Sequence, residues 1–450
     1  MRGLKSTIAL FLFLVGLGAY IYFVTWKKTG DTGAAAKKDP VFAGIEADKI
    51  EALTVKSATG DVTSLEKASD KWRIVAPVAV PAADSDVMTV TSALGQMEIV
   101  RVIDEKPADL KEYGLAAPRI EVEFKSSGGK PSGKIVIGDK TPTGASLYAK
   151  RNDEPRVFLI AGYQENSLNK STFDLRDKAI VKIERDKVDA FELTSGATPM
   201  QLTKEGSEWK LVKPIAARAD FSAVDGLVGR VETAQMKSIV TSDAKPEELK
   251  KYGLDKPAVT VTIGQGSARA VVAIGGASGE DAVYVRDMSK PLVVTVEKSL
   301  ADDLKKNVDD FRRKDAFEFR AFNATSIELT RGDQKVSFER VKAKDANATD
   351  SWKRVNPSAA DSDKSKVESL LAGLADIRAT SFTDSLAKTG LDKPAMTVLV
   401  KFDEGKKEER VSFGKSGSDV YALIPGQPGA GKIEAEKFDE AIKALDELSK

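Results

Sequence analysis

The stretch EWKLVKPIAARADFSAVDGLVGRV, Glu208 to Val231, decides the fold. Around Trp209 apolar and polar residues alternate, the pattern of a half-buried strand, and the large indole is expected to anchor a core. Ala219-Asp220 follows. Asp is a good helix N-cap because its carboxylate accepts from backbone N–H groups left free in the first turn. Val224, Leu227, Val228 and Val231 then fall on one helical face. The stretch therefore predicts a strand, a turn and an amphipathic helix.

The same pattern stands twice more in the chain. KWRIVAP surrounds Trp72 and SWKRVNP surrounds Trp352, so the Trp positions lie 137 and then 143 residues apart. The pairs Ala83-Asp84 and Ala360-Asp361 repeat the expected cap, and Val367, Leu370, Leu371 and Leu374 repeat the helical spacing. A Gly-Leu step recurs as EYGLAAP at Gly114, KYGLDKP at Gly253 and KTGLDKP at Gly390, and an apolar run ends in Gly138, Gly275 and Gly414. FDLRDK at Asp174 and DFRRKD at Asp310 close two copies; the last ends in a predicted helix instead. A period of about 140 residues is domain-sized, far above a solenoid repeat.

The Gly-Leu step predicts a short helix over Pro107–Tyr113 with Gly114 as the left-handed residue after it. Pro118 then starts an extended segment. Strands are expected at Ile120–Phe124, Lys134–Ile137, Leu147–Lys150 and Val157–Ile160. One copy thus reads as strands, helix, short helix, a four-strand meander and a closing helix. That is an α+β domain with a mostly antiparallel sheet. The expected plan is a transmembrane signal anchor at 1–28, a flexible linker at 29–44, and α+β copies at 45–182, 183–322 and 323–450.

From Thr7 to Val24 the chain carries 18 consecutive uncharged residues. A helix of about 20 apolar residues spans a bilayer, so an uncleaved N-terminal transmembrane helix is expected. The rival is a signal peptide, whose apolar region would be shorter and followed closely by a small-residue cleavage site. Lys27, Lys28, Lys37 and Lys38 follow the run and Arg2 and Lys5 precede it, so charge alone would place the bulk inside. A short tail before long domains favours outward translocation instead.

Composition narrows the chemistry. The 450 residues carry a net charge of +1, which gives no bulk attraction to nucleic acid. There are no Cys and no His, which removes thiolate and imidazole catalysis, disulfides and Cys/His zinc schemes. Catalytic residues, metal ligands and cofactor-binding residues are therefore expected to be none. GQPGAGK, Gly426 to Lys432, satisfies a phosphate-loop spacing. Ile433 stands where Ser or Thr would hold magnesium, and the loop matches the turn RNDEPR of the first copy, so a hairpin loop and no nucleotide are expected. The acidic pairs Asp84/Asp86 and Asp361/Asp363 could serve as acid and base or hold a hard cation, but capping accounts for them more simply. The turns Thr141–Gly144 and Gly276–Gly279 suit hairpins, with a binding loop as the alternative. The basic closing segments are expected to join consecutive domains through ion pairs.

These landmarks together resemble the bacterial domain-of-unknown-function family 4340. Its pattern is W-x-[ILV]-x-x-P, an Ala-Asp helix start, Y-G-L-x-x-P, an apolar-Ile-Gly strand, a T-P-x-G turn and a D-L-R-D-K close. The first copy carries all of it; the second lacks the T-P-x-G turn; the third has Thr389 in place of Tyr and lacks the close. The resemblance implies a cell-envelope protein anchored in the bacterial inner membrane with its bulk in the periplasm. It also implies a non-enzymatic scaffold or accessory subunit, with ABC-transporter subunits or other envelope proteins as partners. The alternatives are a binding module for a cell-wall polymer or exported substrate, and a carboxylate hydrolase.

Overall fold

The computed structural model describes residue 20 and residues 39–128, 132–196, 198–343 and 349–448. Apart from Tyr20, the expected anchor and most of the linker lie outside these residues. Among the described residues, no helix is long and apolar enough to cross a membrane. The chain divides into two compact units, one ending at Lys178 and the other running from Ala179.

The first unit holds one sheet of nine strands: β1 (Ile50–Lys56), β2 (Val62–Ala68), β3 (Lys71–Ala76), β4 (Val80–Pro81), β5 (Arg101–Asp104), β6 (Ile120–Ser126), β7 (Gly133–Lys140), β8 (Ser146–Arg151) and β9 (Val157–Ala161). Their order is 4-3-2-1-6-7-8-9-5, with antiparallel neighbours throughout. Two meanders therefore meet where β1 pairs with β6. Period-2 alternation puts Leu53 and Val55 of β1 opposite Phe124 and Val122 of β6 in the core, and Ile50 joins them past a register shift. Helix α1 (Asp84–Gln96) lies over that core and buries Val87, Val90, Thr91 and Leu94, one face of a 3.6-residue period. Two short helices follow β9: α2 (Gln164–Leu168) and α3 (Thr172–Leu175). Val41 and Phe42, placed in the linker by sequence, are buried in this core, with Phe42 edge-on to Phe124.

The second unit holds two further sheets of the same strand order, from Ala190 to Glu297 and from Ala324 to Ile433. Their main helices are α4 (Phe221–Glu232) and α7 (Lys364–Ala375). The helices α5 (Lys298–Asp303) and α6 (Val308–Phe311) close the second copy, and α8 (Ala435–Leu448) closes the third. Trp72, Trp209 and Trp352 are all buried, each on a strand that runs into a cis X-Pro bond.

The glycine landmarks pack against each other. Gly114, Gly253 and Gly390 adopt φ of 66°, 68° and 72°, as the left-handed reading requires. A Cβ on Gly138 would collide with the Tyr113 carbonyl, one on Gly275 with the Tyr252 carbonyl, and one on Gly414 with the Thr389 carbonyl. The helix expected before the step is only a 3-10 turn, Lys111–Tyr113 and Leu249–Tyr252, and in the third copy it is a plain turn.

The Asp-cap expectation holds in one copy of three. Asp220 caps α4 by accepting from Ala223 N–H at 2.9 Å. In the first copy the N-cap is Ala83, and Asp84 instead accepts from Trp72 N–H at 3.0 Å and Lys71 Nζ at 3.1 Å. In the third copy Asp363 is the cap, while Asp361 sits in a strand with its side chain 93% exposed. The Trp spacing of 137 and 143 maps Ala83 onto Asp220 and Asp363, so the Ala-Asp pairs were one or two residues out of register.

Candidate functional site: the groove of the first copy and the junction of the second and third

The closing segment of the second copy is built into its junction with the third. Asn307 and Asp310 form a capping box that starts α6. The chain then pairs on both sides: Arg313 N–H donates to Arg218 O at 2.9 Å, Ala316 N–H to Ile377 O at 2.9 Å, and Ala379 N–H to Lys314 O at 2.7 Å. Arg312 is 2% exposed. Its guanidinium lies 3.6 Å from the Phe382 ring centroid and donates to Gln427 Oε1 at 3.1 Å and Pro428 O at 2.6 Å. The Gln427 amide donates in turn to Arg218 O and Arg313 O, and Arg218 N–H donates to Gly426 O at 3.0 Å. The phosphate-loop look-alike is therefore the part of the third copy that grips the second. Lys432 lies in the strand Ala430–Ile433 and pairs with Asp419 at 3.0 Å.

The expected ion pairs are present at this junction, with partners that sequence reasoning missed. Glu318 pairs with Arg218 and with Arg313, the latter at 3.0 Å. Arg378 reaches Asp315 at 3.1 Å and Asp220 at 3.9 Å. Glu409 is buried behind them and accepts from Glu318 N–H at 2.7 Å and Phe319 N–H at 3.4 Å. Burial pushes its carboxyl above the ordinary range, against the pull of those N–H groups and of Arg218 and Arg313. Burial, with Arg313 nearby, pulls the Arg218 guanidinium down. A cleft of about 280 Å³ beside this network is lined by Glu208, Trp209, Arg218, Asp220, Phe221, Arg313 and Asp315 among others. The raised carboxyl does not line it. The signal for Arg218 was in the sequence: at the same register stand Pro81, Arg218 and Asp361, the pattern of a position set by what it touches rather than by the fold.

A larger open groove, about 1090 Å³, runs along α1 in the first copy. Ser85, Met88, Thr89, Ser92, Ala93 and Gln96 of α1 line one side and Tyr163, Gln164 and Ser167 the other, with Glu98 and Val100 at one end. Met88, Val100 and Tyr163 are 60%, 58% and 69% exposed. Helix α2 is fixed from below by Glu165, which pairs with Lys140 at 2.5 Å and Arg119 at 2.7 Å. Burial pulls the Glu165 carboxyl upward, but the hydrogen bonds from those two cations outweigh it and hold it below its ordinary value. Gln164 is 3% exposed, and its Oε1 has no hydrogen-bond partner among the described residues. Nothing in the sequence pattern singled this groove out, since its residues are mostly uncharged and spread over three segments.

The same place is filled in the second copy. Position 93 maps onto Arg230, and 163 and 167 map onto Ser299 and Asp303, by the matching pairs of β5 with β9 and of Ser238–Thr241 with Val293–Glu297. Arg230 crosses the gap between the helices, donating to Asp303 Oδ2 at 2.6 Å and Ser299 Oγ at 2.8 Å. In the third copy the longer α8 replaces the short helix and buries Phe438, Ala441 and Leu445 in one core with Val367, Leu370 and Leu374 of α7. Among the described residues, no group of three or more acidic side chains could hold a metal ion.

Three tandem copies of one nine-stranded antiparallel α+β domain define a repeat protein whose surfaces differ from copy to copy. The sequence profile of DUF4340, a domain of unknown function, matches residues 72–210, 209–362 and 352–448, and the chain belongs to that family. The first match runs from the Trp72 strand into the Trp209 strand and the second from the Trp209 strand past the Trp352 strand, so the family's frame straddles two sheets. No curated protein matches the chain. A solved structure described as a putative DNA polymerase III beta subunit from Eubacterium rectale aligns over 88% of this chain and 94% of that one, at 8% identity and a TM-score of 0.16. A likeness that weak carries no argument.

Proposed function

We propose that this protein is a non-enzymatic, membrane-anchored envelope component that works by making contacts, as a scaffold or accessory subunit of an ABC-type transport assembly. The observation that carries this reading is the way the copies differ. Trp72, Trp209 and Trp352 and the paired glycines keep the fold, while the positions that change, 81/218/361 and 93/230, are those that touch a neighbouring copy or line the groove. The uncharged run Thr7–Val24 supports the anchor, and the outward orientation rests on the family resemblance. Several weak contacts on one tethered chain add through effective concentration. Binding of a repetitive cell-wall polymer would call for a like-placed groove in each copy, and Arg230 closes the one in the second.

The test is purification of the tagged full chain from mildly solubilised membranes, with the associated proteins identified by mass spectrometry. Stoichiometric recovery of transporter subunits supports the accessory role. Recovery of the chain without protein partners, together with its cosedimentation with purified cell wall, would overturn it in favour of polymer binding.

A further inference from the structure

We infer that the groove along α1 is the surface through which two chains of this protein pair, each seating the exposed side chains of its groove rim in the groove of the other. The argument starts from charge. Between Val87 and Gln96 the helix carries no ionisable side chain. The two acids of its first turn are already met, Asp84 by Lys71 at 3.1 Å and Asp86 by Lys178 at 3.8 Å, and Glu98 at the groove's end has its own partner in the chain. The matching helices of the other copies are charged: Asp225, Arg230 and Glu232 stand on α4, and Lys364, Lys366 and Glu368 on α7. A face that meets its own image across a two-fold axis brings like residues near like residues, so a charge there repels itself, and a paired charge loses its water. The outer face of α1 escapes both costs. Its shape agrees. Met88, Val100 and Tyr163 stand exposed at the rim of an open groove, so knob and hole lie on one face, as an isologous contact requires. Met and Tyr are also enriched, and charges depleted, at the centre of protein interfaces. The hole exists because Ala93 and Ser167 stand where Arg230 and Asp303 bridge the helices of the second copy. Pro40 lines the groove, so the chain reaches it directly from the uncharged run Thr7–Val24; anchoring by that run holds two chains in one plane and raises their effective concentration.

The inference rests on the membrane-anchored, contact-making reading above, and its test fails separately from it. The chain contains no Cys, so one introduced thiol reports on one place. The full chain carrying Thr89→Cys, in the groove lining, and a separate chain carrying Gly226→Cys, at the matching register of the second copy, are treated in membranes with a short bis-maleimide and run on denaturing gels. Thr89→Cys is expected to give covalent dimers and Gly226→Cys few or none. Adding Met88→Asp, which puts on the rim the acid that the second copy has at that register, is expected to cut the dimers from position 89 by about tenfold or more, since like charges would then face each other. Ala93→Arg with Ser167→Asp, which rebuilds the bridge of the second copy and fills the groove, is expected to do the same. Met88→Asp changes an exposed side chain and carries the test if that double variant does not fold. Equal dimers from positions 89 and 226, no dimers from either, or dimers that both variants leave unchanged overturn the assignment. Crosslinks from position 89 to a different protein alone overturn a second chain as the occupant. Absence of dimers while transporter subunits are still recovered from membranes sinks the pairing and leaves the accessory role standing; dimers without those subunits do the reverse.

Discussion

Helix α1 of the first copy and helix α4 of the second lie over sheets of the same order, bury the same face, and differ in what their outer faces meet. Arg230 ties α4 to α5, while Ala93 leaves α1 beside an open groove. The difference separates two kinds of position in a tandem protein. Those that recur hold the fold, and those that change at fixed register decide what each copy touches. The junction of the second and third copies teaches the same: Arg218 there ties two copies together, at a register where Pro81 and Asp361 stand in the other copies.

If that division is right, substitutions at recurring positions should cost most and should cost alike in each copy. Trp72→Ala and Trp209→Ala are expected to lose about 3–5 kcal/mol each, the range for truncating a buried aromatic; chemical denaturation followed by the remaining tryptophans measures it. A loss under about 1 kcal/mol for Trp72 would mean a surface indole available for binding. Gly275→Ala, whose Cβ meets the Tyr252 carbonyl, is expected to lose about 1–3 kcal/mol or more. A wild-type melting temperature for that variant would show that the two glycine landmarks do not need their close approach.

Contact positions should cost less and act locally. Arg312→Ala leaves the part-buried Gln427 Oε1 and Pro428 O without their donor, at roughly 1 kcal/mol for each. Its signature is faster hydrogen exchange at Arg218, Arg313 and Ala379, with the core strands of the first copy unchanged. Arg230→Ala removes a part-exposed pair and should cost at most about 1 kcal/mol, while opening in the second copy the groove that the first already has.

Acid should act with opposite signs in the two regions. Glu409 has a raised carboxyl, so its contribution to stability is present below the ordinary carboxylate value and is lost as pH rises through its own. Glu165 has a lowered one, so its contribution is present above the ordinary value and is lost as pH falls. Glu409→Gln should therefore flatten the pH dependence of the junction, and Glu165→Gln should lower the stability of the first unit at neutral pH and reduce its acid sensitivity, to which Glu121 and Asp174 also contribute. Melting curves between the ordinary carboxylate range and neutrality check Glu409, and curves continued below that range check Glu165. A matching pH response in the two variants would contradict the assignment.

Much of the fold was legible because alternation and glycine chemistry are local. The strands expected at Ile120–Phe124 and Val157–Ile160 lie within β6 and β9, and Gly114 is left-handed as expected. The pairing of β1 with β6, which merges two meanders into one sheet, joins residues about 70 apart and leaves no local mark. The cap position slipped because Ala-Asp was matched by residue type, where the Trp spacing would have matched Ala83 with Asp220. The groove was invisible for a different reason: its character comes from the small side chain at Ala93 and from a Gln164 oxygen with no partner among the described residues, and both are properties of packing.

The most direct test of this division places one photo-crosslinking residue at Met88 in the first copy and, in a separate chain, at its register partner Asp225 in the second. Both chains are irradiated in native membranes and their adducts compared. The account predicts protein adducts from position 88 and few or none from position 225. Equal adducts from the two positions, or adducts from 225 alone, would contradict it.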